Sequence, residues 1–199
     1  VENEAQFEVP TWNQIYAMLL SQAEKIRQSG FKPAMVVGIA KGGWVPARVL
    51  SDLLETLELA TLGVAFYLNV AETRNEPVLT QRVSAAVEGK KALLVDDVGD
   101  TGKSLQLAKA HMLQQGATDV RIATLYYKPS SETKPDYYEK ETRRWVVFPW
   151  ETKETIRKIV EKYRDKSAIN VETAKLVKAG LPKQQAENLL KEVFEERNC

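Results

Sequence analysis

Apolar positions along the chain follow two rhythms. From residue 11 to 29, Trp12, Ile15, Tyr16, Leu19, Ala23 and Ile26 recur mostly at spacings of three and four. Thr11 stands ahead as an N-cap and Gly30 behind as a stop, so the segment predicts an amphipathic helix. The second rhythm is short and unbroken. Ala34 to Ile39 and Ala92 to Val95 are apolar runs closed by turn residues, which suits strands buried on both faces. Between them the pattern predicts a helix from Pro46 to about Leu57 and a strand from Leu62 to Leu68. A helix running to Gln115 and stopped by Gly116 follows, and then a strand from Val120 to Tyr126. This alternation predicts an α/β domain with a mainly parallel sheet flanked by helices.

Two segments break the alternation. Asn69 to Arg82 is polar, lacks periodicity and lies between strand candidates, which marks it as a flexible hood loop over a site. After Trp150, helical patterns cover Thr152 to Arg164, Val171 to Ala179 and Lys183 to Arg197. The organisation expected is therefore a first domain over 1–151 and a helical C-terminal extension over 152–199.

Composition narrows the class. The 199 residues are 44% hydrophobic and 28% charged, enough to form a core and unlike a disordered chain. No apolar run approaches the roughly 18 residues of a membrane span, and the start lacks a basic segment followed by an apolar one. The one cysteine, Cys199, leaves no thiol cluster for zinc and no intrachain disulfide. A cytoplasmic protein with no membrane partner is expected. Basic and acidic residues number 28 and 27, so any phosphate chemistry must be local.

The chemistry concentrates at residues 92–104, where a buried strand leads through Asp96, Asp97 and Asp100 into Thr101, Gly102, Lys103 and Ser104. Ligands of open α/β sheets bind at the carboxyl ends of the strands. Backbone N–H groups at the start of the following helix favour a phosphate. Asp96 and Asp97 would accept hydrogen bonds from a diol or hold magnesium. Phosphate cradle and diol acceptor together suggest a ribose 5-phosphate. A P-loop does not fit, because Asp97 stands where its first glycine belongs, and Gly38 to Gly43 lacks the dinucleotide spacing.

Residues 92–104 resemble, over their whole length, the phosphoribosyl pyrophosphate motif of type I phosphoribosyltransferases. The resemblance implies that Asp96 and Asp97 hold the ribose hydroxyls and that Asp100 to Ser104 bind the 5-phosphate. Aspartate at position 100 is a mark of the 6-oxopurine branch (hypoxanthine, guanine, xanthine), and beside a purine imidazole it is a general-base candidate. Ala40 to Pro46 resembles the pyrophosphate loop, with Lys41, Gly42 and Gly43 facing the leaving group. In the same way Lys128 is implied as donor to the exocyclic oxygen, Trp145 as the stacking ring and Val146 as a backbone contact to the base. The metal expected is Mg2+, held by Asp96 and Asp97. Glu151 stands where several bacterial relatives carry an aspartate that positions a second metal, and it is longer by one methylene. The lone His111 reads as structural.

The expected reaction joins a 6-oxopurine at N9 to phosphoribosyl pyrophosphate, in a purine-salvage enzyme expected to self-associate. Arg74 or Arg82 would cap the pyrophosphate. The alternative is a regulator that senses phosphoribosyl pyrophosphate and binds nucleic acid through its tail. Residues 152–199 hold 11 basic and 8 acidic side chains, too slight an excess for a nucleic-acid footprint.

Overall fold

A computed structural model describes residues 7–67, 76–163 and 165–197. In chain order its elements are β1 (Phe7–Glu8), α1 (Trp12–Gln28), β2 (Met35–Ala40), α2 (Trp44–Leu53), β3 (Glu58–Tyr67), β4 (Glu76–Gln81) and β5 (Lys91–Gly99). They continue with α3 (Lys103–Gln114), β6 (Asp119–Tyr127), β7 (Tyr137–Glu141), β8 (Trp145–Val146), α4 (Thr152–Lys162), α5 (Lys166–Lys178) and α6 (Lys183–Arg197). The chain divides into two compact units, Tyr16–Arg143 and Val1–Ile15 with Arg144–Cys199.

The first unit is built on a sheet in the order β4-β3-β2-β5-β6-β7. Every pairing is parallel except β4 on β3. Alternate residues face opposite ways. Met35, Val37, Ile39, Ala92, Leu94, Val120 and Ile122 form one buried cluster with Leu105, Ala108 and Met112 of α3. Gly38, turned the other way, lies under α2, where an added Cβ would come within 3.1 Å of the Ala47 Cβ. Helices thus cover both faces, which is why β2 and β5 read as continuous apolar runs. Each large side chain buried this way contributes roughly 1.5–3 kcal/mol.

The helix boundaries follow local chemistry. At α1, Gln14 donates its N–H to Thr11 Oγ1 while its side-chain oxygen accepts the Thr11 N–H at 2.8 Å, a reciprocal capping box. Helix α2 stops at Leu53, short of the expected Leu57, because Glu55 turns to φ 55° and Ser51 Oγ donates to the Thr56 carbonyl at 2.6 Å. Within 69–82 the expected hood is, over its described part, the antiparallel strand β4, and residues 69–75 with Arg74 lie outside the described residues.

The second unit pairs β1 with β8 and packs Phe7, Val147, Ile156, Val160, Ile169, Leu176 and Val193 into its own cluster. Helix α5 starts at Lys166, earlier than the apolar pattern indicated, since Asp165 caps it by accepting the Ala168 N–H at 3.0 Å. Among the described residues no helix is long and apolar enough to cross a membrane.

Candidate functional site

Strand β5 does not end with its apolar run. It continues through Asp96 and Asp97 to Gly99, held by pairing of Asp96, Val98 and Gly99 with Thr124, Tyr126 and Tyr127 of β6. Both carboxylates are therefore carried on rigid sheet rather than on a loop. Asp96 accepts the Asp97 N–H at 3.0 Å, and Asp97 is buried.

The chain then turns through Asp100 and Thr101 into α3. Gly102 adopts φ 82°, a left-handed conformation that a side chain disfavours, and an added Cβ would meet Ser131 Oγ and the Thr133 backbone nitrogen at 2.5 Å. The 131–133 loop braces this turn, since the Glu132 N–H donates to the Thr101 carbonyl at 2.8 Å. The first N–H groups of a helix have no intrahelical partner and form a seat for an anion. A cavity of about 600 Å³ opens here, lined by Phe66, Asp96, Asp97, Val98, Asp100 and the turn 101–105.

The glycine loop arrives at the same sheet edge from β2. A Cβ on Gly42 would strike the Asp97 carboxylate, so backbone and acid lie against one another there. Gly43 is tighter still. A Cβ on it would run into the Val95 carbonyl and come within 2.7 Å of the Ile39 nitrogen. The peptide bond between Ala40 and Lys41 is cis, and Lys41 is exposed. Trp44 fixes the far end of the loop by donating Nε1–H to Thr61 Oγ1 at 2.7 Å, while that hydroxyl donates to the Gly38 carbonyl.

Lys128, at the end of β6, donates its backbone N–H to the Gly99 carbonyl at 2.9 Å. This places its side chain next to Asp100, and Nζ sits 2.8 Å from Oδ1. The expected base donor and the expected general base are thus an ion pair. His111 is buried and accepts the Val83 N–H at Nε2; burial and then the Arg82 charge hold its pKa below the ordinary value. Arg82 directly precedes Val83, whose N–H His111 accepts.

One unit thus gathers Lys41, Gly42, Gly43, Asp96, Asp97, Asp100, Thr101, Gly102, Lys103, Ser104 and Lys128. Trp145, Val146 and Glu151 belong to the other unit. In it Trp145 is half exposed and Val146 buried, while Trp150 stacks on Phe148 at 4.8 Å. The Glu151 carboxylate accepts the Phe148 N–H at 3.2 Å. Sequence reasoning missed Phe66, on the cavity wall, and the 131–133 brace. Phe66 reads as ordinary strand hydrophobicity, and its 43% exposure is the signal that only the fold provides.

Comparison with known proteins gives the family. The family model for the phosphoribosyl transferase domain matches residues 9–157. The xanthine-guanine phosphoribosyltransferase of Gluconobacter oxydans is 30% identical over 146 residues, 71% of this chain and 83% of that protein. That of Cereibacter sphaeroides is 30% identical over 148 residues, 71% of this chain and 84% of its own. The crystal structure of a purine phosphoribosyltransferase from Pyrococcus horikoshii is 36% identical, with a TM-score of 0.66, and the match covers 73% of this chain and 93% of that one. The chain belongs to the type I phosphoribosyltransferase family, in its 6-oxopurine branch.

Proposed function

We propose that the chain transfers the 5-phosphoribosyl group of phosphoribosyl pyrophosphate to N9 of hypoxanthine, guanine or xanthine. The products are the nucleoside 5-monophosphate and pyrophosphate. The observation that carries this reading is the convergence, at one sheet edge, of two strand-borne carboxylates, a helix N-terminus and a glycine turn that admits no side chain.

In this reading the 5-phosphate lies on the turn from Asp100 to Ser104 and the ribose hydroxyls on Asp96 and Asp97. The bond from C1 to the pyrophosphate oxygen breaks with its electron pair leaving on oxygen, and N9 forms the new bond to C1. The sugar is cationic in between. Asp96 and Asp97 put negative charge beside it, and the Lys41 to Gly43 loop faces the growing charge of the leaving group. Asp100 takes the proton that the purine imidazole loses as N9 becomes a nucleophile. Lys128 is a donor only, which suits an oxo group at the sixth position of the ring. The roles of Trp145 and Val146 toward the base, and of Glu151 toward a second metal, rest on the family resemblance, as does self-association in the cytoplasm.

Asp96 and Asp97 also suit Mg2+, which takes one or two carboxylates, several waters and substrate phosphates rather than an all-protein cage. Among the described residues no group of three or more His, Cys, Asp or Glu assembles to form such a cage. When bound, magnesium supplies neutralising charge for the leaving pyrophosphate. The test is product identity. With Mg2+ and phosphoribosyl pyrophosphate, hypoxanthine should yield inosine 5-monophosphate by mass spectrometry, while adenine should yield far less product. Absence of nucleotide with every 6-oxopurine would overturn the reading.

A further inference from the structure

Glu76 opens β4, and its carboxylate Oε1 accepts from Lys103 Nζ at 2.9 Å. Lys103 lies in the phosphate turn at the start of α3. Lys103 lines two cavities: the one over the carboxylates, and a neighbouring one of about 750 Å³ walled in part by Glu76, Gln106 and Glu132. One residue therefore serves both cavities, with its ammonium on Glu76. Glu76 holds it in the free protein, and a phosphate on the helix N-terminus would compete for it.

The exposures set the balance of that competition. The Lys103 side chain is 27% exposed and that of Glu76 55%. A pair this open adds little to stability, and water readily re-solvates the carboxylate once the lysine leaves. Release of Lys103 from Glu76 therefore costs little, and a phosphate on the turn can draw it away.

We propose that Glu76 tunes the phosphoribosyl site through Lys103, holding the ammonium in the free protein, yielding it to a bound phosphate and taking it back when the nucleotide product leaves. The proposal rests on the phosphate role of residues 100–104 given above. It assigns to β4 a part in substrate affinity through one ion pair, and it makes the free protein bind phosphate esters less tightly than the turn alone would allow.

Calorimetric titration with ribose 5-phosphate tests this on four full-length proteins: wild type, Glu76→Gln, Lys103→Met and the double variant. Glu76→Gln should bind roughly threefold tighter than wild type, the scale of one exposed ion pair. In the Lys103→Met background the same change should give less than half of that gain. In steady state, KM for phosphoribosyl pyrophosphate should fall in Glu76→Gln while KM for the purine stays put, a split that a merely structural role would not give. Unchanged affinity in Glu76→Gln would overturn the proposal. So would a gain as large without Lys103, which would mean that Glu76 repels the phosphate directly. Both results leave the phosphoribosyl reading standing, whereas a wild-type protein that fails to bind ribose 5-phosphate overturns that reading and the proposal with it.

Discussion

In the unit of residues 16–143, polar groups gather at strand ends, with Asp96 and Asp97 on β5 and Lys128 at the end of β6 beside Asp100. In the unit holding α4, α5 and α6, they are matched to one another across helices. Lys153 reaches Glu192 at 2.8 Å and Glu196 at 2.7 Å, and Arg157 also reaches Glu196. Hydrogen bonds to these partners raise the Lys153 pKa and lower that of Glu196. The difference teaches what each unit's charges are for. Asp96, Asp97 and Asp100 of the first are carried on a strand end and its turn and line a cavity, while Lys153, Arg157 and Glu196 of the second complete surface ion pairs. In the tail Lys153, Arg157, Lys158, Lys175, Lys183 and Lys191 have acidic partners within their own unit.

This contrast is broken most severely at Gly43. Gly43→Ala puts a methyl group into backbone atoms of Val95 and Ile39, which cannot give way as a side-chain end could. It should cost about 1–3 kcal/mol of stability and at least about a hundredfold in turnover, read by melting temperature and initial rate. Next in size is Asp100→Asn. Turnover should fall by about a hundredfold with ribose 5-phosphate binding nearly intact, and unchanged turnover would remove Asp100 as the base. Lys128→Ala should raise KM for a 6-oxopurine by about tenfold and leave KM for phosphoribosyl pyrophosphate in place. An equal loss for both substrates would refute its assignment to the base.

Smaller effects separate structure from chemistry. His111 has a lowered pKa in the folded protein, so the unfolded chain takes up its proton first as pH falls. Stability should therefore decline on acidification through the ordinary histidine range, near pH 6.5, and on below it. His111→Gln should flatten that decline in melting temperature between about pH 7 and 5.5. Least of all, Glu196→Gln in the tail should shift melting by a few degrees at most and leave turnover unchanged. A large loss of activity there would erase the contrast between the two units.

Much of the site was legible in sequence because its parts are contiguous. Asp96 to Ser104 is one strand end, one turn and one helix start, as the order of residues predicts. Other parts escaped for physical reasons. Strand β7 (Tyr137–Glu141) is short, polar and at a sheet edge, so it lacks the apolar run that marks β2 and β5. β4 hides in the same way among polar residues, and with it Glu76. The pairing of Lys128 with Asp100 depends on β6 lying in register beside β5, which no local pattern states. The start of α5 was legible after all in Asp165, a capping residue that an apolar count passes over.

Pyrophosphate release tests the phosphoribosyl transfer most directly. The protein, Mg2+ and phosphoribosyl pyrophosphate are combined in parallel with hypoxanthine, guanine, xanthine, adenine, orotate and uracil. Turnover with at least one of the three 6-oxopurines, and little with the other bases, is the predicted result. If all six are inert while the sugar phosphate still binds, the site is a sensor and not a transferase.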